Sequence, residues 1–159
     1  MCLFFLTGCA VREYHIPLSP AATDRGAELS ALPPFQWPLK GRVVLPFGAQ
    51  EDGVSLKGIV LEAADGAAVV AAGSGRVVVA DERLQGYGKT LILEHSAEFS
   101  TIYARNSEIL VKPGQRVLRG QPIAKVGRGG KGNIPRLYFE VRKKSEAQDP
   151  LTYLSYKNF

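Results

Sequence analysis

The chain has 159 residues, of which 45% are hydrophobic and 22% charged, with 17 glycines and 10 prolines. This length suits one domain with its own core, and the ordinary composition excludes low-complexity and collagen-like chains. The net charge is +5, but segment 105–144 carries eleven Lys and Arg against two Glu, which gives +9 there and −4 elsewhere. Such a basic half can meet an anionic polymer or an acidic protein, or it can be a solvated strand face. Nucleic acid is not expected as a partner, because no aromatic and basic readout motif is present.

The first ten residues contain both cysteines and resemble the end of a bacterial lipoprotein signal. Segment 6–9 (LTGC) is similar to a lipobox, whose cysteine becomes the lipidated first residue of the mature protein. The apolar run is too short to span a bilayer, and no Lys or Arg precedes Cys9, so we expect residues 1–9 to be a remnant of a longer signal. Ala10 resembles an outer-membrane sorting residue. We therefore expect an outer membrane lipoprotein that faces the periplasm through a lipid anchor at Cys9, the alternative being a chance match.

Residues 10–35 follow as a segment rich in proline and small polar residues. No period of 2 or 3.6 persists there, so we predict an extended, flexible tether in which His15 is solvated. The folded body is then expected to cover residues 36–159. It contains no cysteine, which excludes an internal disulfide and a cysteine-based zinc site within it.

The body reads as a series of short strands separated by glycine and proline turns. Spacings of about ten residues between turn signals favour an antiparallel all-β barrel or sandwich. Two helical turns are predicted, near Asn106–Leu110 and near Pro150–Leu154. The strand predictions are an opening strand within 37–48, runs at 56–61, 67–72 and 75–80, a hairpin of 90–95 with 99–104, strands near 117 and 123–126, and a last strand at 136–143.

The order of motifs resembles the LytM/lysostaphin-type zinc peptidases, which cut cell-wall cross-links. The match runs over about residues 36–154, and its members are segments 37–48, 86–95 (GYGKTLILEH), 103–106 (YARN), 111–124, 127–132, 135–141 (PRLYFEV) and 149–151 (DPL). The resemblance implies a barrel-sandwich hybrid with a duplicated hybrid motif and an antiparallel core. Biotinyl and lipoyl carriers share that fold. A carrier function is not expected, because the chain has no Asp-Lys-Ala or Met-Lys-Met tripeptide to hold the prosthetic group.

The same resemblance places different residues where active members carry zinc ligands and catalytic histidines. The five positions are occupied here by Leu56, Val60, Arg105, Arg136 and Tyr138. A guanidinium has no lone pair for a metal, and a phenol is a poor substitute for imidazole. We therefore predict no catalytic residue, no metal ligand and no cofactor. His95, the one histidine of the body, is expected to serve packing or hydrogen bonding, because a zinc site needs three or four ligands.

The altered positions are predicted to line a groove. Leu56 and Val60 share one strand face and Arg136 and Tyr138 another, because both spacings are even. In the family these faces meet, so the resemblance implies an apolar floor with two arginines on the walls. Such a groove suits an amphipathic peptide with acidic side chains. The predicted partner-binding groove comprises Leu56, Lys57, Val60, Arg105, Arg136 and Tyr138; the alternative is a vestigial cleft filled by its own side chains.

The function implied by this zinc-less branch is regulation rather than catalysis. Degenerate LytM proteins of the Gram-negative envelope bind and switch on peptidoglycan amidases during division. We expect this chain to bind and activate an N-acetylmuramoyl-L-alanine amidase or another cell-wall hydrolase. The alternatives are a module that binds peptidoglycan without a hydrolase partner and, less favoured by the residues, an active zinc metalloendopeptidase.

Overall fold

The structure is a computed structural model and describes residues 35–129 and 133–155. The predictions on residues 1–34, including lipidation of Cys9, the solvated His15 and most of the tether, lie outside the described residues. So does part of the predicted 127–132 turn. Phe35, assigned above to the tether, is buried in the core and lies beside Leu154 in a parallel bridge.

Short strands dominate the described part of the chain, and the all-β prediction is confirmed. A 3₁₀ helix at Pro150–Thr152 begins after Asp149, whose carboxylate accepts the Leu151 N–H. The strands are β1 Arg42–Leu45, β2 Gln50–Glu51, β3 Val54–Ser55, β4 Ile59–Glu62, β5 Ala68–Val70, β6 Gly75–Leu84, β7 Gly88–Glu94, β8 Phe99–Ile109, β9 Arg116–Val117, β10 Pro122–Val126, β11 Arg128–Gly129, β12 Ile134–Lys143 and β13 Glu146–Gln148.

Eleven of these strands belong to one antiparallel sheet, and the other two form a separate hairpin. The main path runs β1-β4-β12-β8-β7-β6-β9; β10 pairs with β5 and β8, while β11 and β13 pair with β12. Strand β12 therefore lies between β4 and β8, with Tyr138 opposite Val60 on one side and Ala104 on the other. The separate hairpin joins β2 to β3 through Asp52 and Gly53.

The alternation of β12 divides its side chains between two faces. Leu137, Phe139 and Val141 enter the main hydrophobic core, where all three are fully buried. Tyr138 joins a second cluster on the opposite face. Because successive strand residues point to opposite faces, this alternation fixes which β12 residues can reach a groove.

One of the two predicted helical turns is wrong. Residues 106–109 continue strand β8, since Asn106 pairs with Lys89 of β7 and Glu108 with Lys125 of β10. Pairing on both sides of β8 satisfies the backbone there, so tertiary context overrides the weak local helix signal. The turn predicted near Pro150 is confirmed as the 3₁₀ helix.

His95 is held by two hydrogen bonds at the rim of the main core. Its Nδ1 lies 2.8 Å from the Ser74 carbonyl oxygen, so Nδ1 carries the donated proton, and its Nε2 lies 2.7 Å from Thr101 Oγ1. The imidazole also contacts the ring of Phe35 at a centroid distance of 4.8 Å. Burial lowers the pKa of His95, which keeps the ring neutral. These contacts agree with the packing and hydrogen-bonding role predicted for it.

Candidate functional site: a pocket beneath the β2–β3 hairpin

A pocket of about 420 Å³ lies between the β2–β3 hairpin and the face of the main sheet that carries Tyr138. The hairpin contributes one wall, and the turn before β7 together with β8 contributes the other. Its lining residues are Glu51, Asp52, Val54, Ser55, Leu56, Lys57, Gly86, Tyr87, Arg105 and Tyr138.

The floor of the pocket is apolar. Leu56, Val60, Ala104 and Tyr138 form a buried cluster that is distinct from the main core. Val60 is fully buried, so it supports the floor from below rather than lining the pocket. An apolar floor that excludes water is the setting in which an inserted side chain gains most from burial.

Glu140 fixes the two tyrosines beside the floor. Its carboxylate is fully buried and accepts hydrogen bonds from the Tyr138 hydroxyl at 2.7 Å and the Tyr87 hydroxyl at 3.2 Å. The other carboxylate oxygen accepts the Arg142 Nε–H at 2.8 Å. Burial, and then the nearby Glu140, raise the pKa of Tyr138 and of Tyr87. Both phenols therefore stay protonated and present fixed aromatic faces.

Arg105 reaches the pocket because β8 is irregular at this point. The pairing of β8 with β7 shifts between Lys89 and Leu91, and its pairing with β10 shifts between Lys125 and Val126. Both shifts leave one extra residue on β8, which is the definition of a β-bulge. Arg105 has φ of +66°, a left-handed conformation that non-glycine residues rarely adopt. The bulge re-aims its side chain toward the hairpin.

The guanidinium of Arg105 is engaged by a carboxylate of the hairpin. Its Nη1 and Nη2 donate to the two oxygens of Glu51 at 3.3 and 2.5 Å, a bidentate arrangement. Only 17% of the Arg105 side chain and 11% of the Glu51 side chain are exposed. The guanidinium carbon also lies 5.5 Å from the centre of the Tyr138 ring. The pocket therefore joins an aromatic face to a guanidinium that already holds a carboxylate.

Arg136 lies elsewhere on the sheet. Its Nη2 is 3.6 Å from Glu62, which also accepts a hydrogen bond from Arg42, and its buried Nε has no partner among the described residues. Arg136 is not among the residues that line the pocket. Its even spacing from Tyr138 puts it on the same face of β12, where it lies opposite Glu62 of β4.

The structure thus brings together four of the six residues predicted for the groove: Leu56, Lys57, Arg105 and Tyr138. Sequence reasoning missed Glu51, Val54 and Tyr87. A signal for the first two was available, because the dipeptide Asp52-Gly53 is typical of a two-residue hairpin turn. A hairpin there would have paired Glu51 with Val54 across the turn, as the structure does.

The residues present at these positions do not fit zinc. Leu56 and Val60 offer no donor atom, Arg105 is a cation paired with Glu51, and the Tyr138 phenol is protonated and hydrogen-bonded to Glu140. Within residues 35–129 and 133–155, no group of three or more His, Cys, Asp or Glu side chains is placed to hold a metal ion. No step through a metal follows from this site.

Comparison with known families gives a match over residues 55–150 to the model described as Peptidase family M23. The chain belongs to peptidase family M23. The fold agrees, since the structure superposes on the antimicrobial peptidase lysostaphin from Staphylococcus simulans with a TM-score of 0.67 and 27% identity, covering 74% of this chain and 51% of that one. The predicted LytM/lysostaphin-type fold is therefore confirmed.

Two curated M23 relatives are similar over most of the chain. It is 40% identical to the murein hydrolase activator NlpD of Salmonella typhimurium over 134 residues, which cover 84% of this chain and 34% of NlpD. It is 41% identical to the outer membrane antigenic lipoprotein B of Haemophilus influenzae over 120 residues, or 76% of this chain and 29% of that protein. The chain spans about a third of the length of these relatives. In the described part of the chain, no helix has both the length and the hydrophobicity to cross a membrane.

Proposed function

We propose that this M23 domain is a non-catalytic activator of a murein hydrolase of the N-acetylmuramoyl-L-alanine amidase class. The observation that carries the proposal is the state of the pocket, where an apolar cluster and a paired guanidinium occupy the positions that the family resemblance gives to zinc ligands. Such a pocket can bind a side chain, but it offers no ligand set to activate water. The similarity to a relative named murein hydrolase activator, at 40% identity, also supports an activator role.

The pocket suits a short amphipathic segment of the hydrolase, such as a regulatory helix. An apolar side chain of that segment would rest on Leu56 and Tyr138, and a neighbouring carboxylate would face Arg105. Buried aromatic and apolar anchors supply most of the binding energy at protein interfaces, and arginine forks orient carboxylates. Lys57 at the pocket edge adds a second cation for an acidic segment.

The proposed location is the outer membrane, with the domain facing the periplasm on a lipid anchor at Cys9. Support comes from the lipobox-like segment 6–9 and from the relative named an outer membrane lipoprotein. An activator tethered in this compartment would meet hydrolases that work on the murein layer.

The alternative of a module that binds murein through the basic half receives little support from the charges. Many cations of segment 105–144 are paired with carboxylates in the structure. These pairs are Lys125 with Glu108, Arg128 with Asp65, Arg142 with Glu140 and Lys144 with Glu98. Pairing reduces the local field that would attract an anionic polymer.

The proposal is tested by replacing Val54 with aspartate. Val54 lines the pocket, is 66% exposed and belongs to the separate hairpin, so the substitution leaves the main sheet intact. It removes an apolar contact and repels an acidic partner. We expect the dissociation constant for the amidase to rise at least about tenfold, with stimulation of murein hydrolysis lost in parallel. Both are measured with purified proteins.

Leu118→Asp is the matched control, since Leu118 is 72% exposed and does not line the pocket. It makes the same chemical change at a remote site and is expected to bind and stimulate as the parent chain does. If Val54→Asp stimulates the amidase as well as Leu118→Asp does, the pocket is not the docking site. A chain that binds purified murein sacculi but no amidase would support the alternative function instead.

A further inference from the structure

Among the described residues, the two strands of the β2–β3 hairpin pair only with each other. It forms a separate two-stranded sheet, and its base is closed by Gly48 N–H to the Leu56 carbonyl and Leu56 N–H to the Ala49 carbonyl, both at 2.9 Å. Its turn places Asp52 at φ +51° and Gly53 at +80°, the left-handed pair typical of a tight hairpin. A lone hairpin of this length is marginally stable in water, so its position over the pocket depends on contacts with the body.

The Glu51–Arg105 ion pair is one such contact, and it lies inside the pocket rather than at its rim. Both side chains line the pocket and both are largely buried. Each guanidinium Nη faces one carboxylate oxygen, the arrangement with which arginine binds a free carboxylate. The protein thus already fills its own anion-binding position with a residue from the hairpin.

We propose that Glu51 is an internal stand-in for a carboxylate of the partner, and that the hairpin is a latch which the partner opens by exchanging its own carboxylate for Glu51. The inference rests on the proposed function and specifies the regulation of the same pocket. Exchange keeps the charge and the hydrogen bonds of Arg105 unchanged, so the ion pair itself contributes little to net affinity. The partner's apolar anchor on the Leu56 and Tyr138 floor drives the exchange.

The latch makes the pocket selective. An apolar partner without a carboxylate would leave Arg105 unpaired in a mostly buried position when it displaces Glu51, and an uncompensated buried charge is costly. An acidic partner avoids that cost. The ion pair therefore rejects non-acidic segments and keeps the apolar floor covered until the partner arrives.

Glu51→Gln tests the latch while keeping the shape of the side chain. Glutamine removes the competing charge, so we expect the amidase to bind about fivefold to tenfold more tightly. The concentration of this chain that gives half-maximal stimulation should fall accordingly. The affinity should also become more salt-dependent. In the variant, the partner's carboxylate is attracted to an Arg105 without a competing charge, whereas in the parent chain it only replaces the carboxylate of Glu51. In the free protein, amide hydrogen exchange across residues 50–55 should accelerate.

Glu108→Gln is the matched control, since it makes the same change in an ion pair, with Lys125, that does not line the pocket. It is expected to shift affinity by less than about twofold, because an exposed ion pair contributes little. If the parent chain binds the amidase and Glu51→Gln binds no more tightly than Glu108→Gln, the latch is wrong and the proposed function stands. If the parent chain neither binds nor stimulates the amidase, the proposed function fails and the latch fails with it.

Discussion

Replacing Glu140 with alanine is expected to lower the free energy of unfolding by about 3–5 kcal/mol, because the change removes a fully buried side chain that is the acceptor of several hydrogen bonds. The carboxylate is fully buried and accepts three hydrogen bonds, from Tyr138, Tyr87 and Arg142. Alanine would leave the buried Tyr138 hydroxyl and the partly buried Tyr87 hydroxyl without their acceptor and would open a cavity between β12 and the pocket wall. Urea unfolding of the purified domain measures the loss.

Glu140→Gln is the control for the charge, because it keeps the volume and one acceptor oxygen. We expect it to cost about 1–2 kcal/mol and to weaken amidase binding modestly, since Tyr138 and Tyr87 would be held less firmly. Equal stability of the alanine variant and the parent chain would contradict the role assigned to Glu140 as the residue that positions both tyrosines.

Replacing Gly58 with alanine is expected to cost at least about 3 kcal/mol, at the upper end of overpacking effects. An added Cβ would lie 2.2 Å from the Phe139 carbonyl oxygen and 2.8 Å from Glu140 Cγ. The first neighbour is backbone of β12, which is paired with both β4 and β8 and cannot shift without breaking those ladders. The absence of a side chain at Gly58 is what allows the Leu56–Lys57 segment to lie directly on β12.

Gly114→Ala is the control for the added methyl group. Gly114 has φ of +86° and no heavy atom within 4 Å of a built Cβ, so only backbone strain of about 1–2 kcal/mol is expected. A Gly58→Ala variant that is no less stable than Gly114→Ala would show that the close approach of Gly58 to β12 is not required. Both free energies come from urea unfolding under the same conditions.

The all-β class could be predicted from the sequence because its signals are local, whereas the LytM-type fold followed from the family resemblance. Glycine and proline turns divide the body into short alternating runs. In β12, the alternation of Leu137, Phe139 and Val141 with polar or aromatic residues indicates which face enters the core. The helical turn predicted near Asn106–Leu110 is wrong because the residues that pair with this stretch, Lys89 and Lys125, are distant in sequence. Strand pairing of that kind leaves little trace in a local window.

The pocket could be predicted only in part, because it also depends on contacts between residues that are distant in sequence. Leu56 and Tyr138 follow from face alternation and the family resemblance, whereas the direction of Arg105 depends on a bulge that no periodicity encodes. The contact with Glu51 follows from where a separate hairpin folds over the sheet. Arg136 shares a face with Tyr138, as the spacing indicated. Its guanidinium pairs with Glu62, however, and does not line the pocket.

We propose that this M23 domain acts on murein only through a hydrolase. The most direct measurement is release of soluble muropeptides from purified sacculi by the chain alone, the amidase alone and both together, each with and without added zinc. We expect no release above background by the chain alone in either condition, and more release by the mixture than by the amidase alone. Release by the chain alone that requires zinc and disappears with a chelator would show that the domain is itself a zinc peptidase.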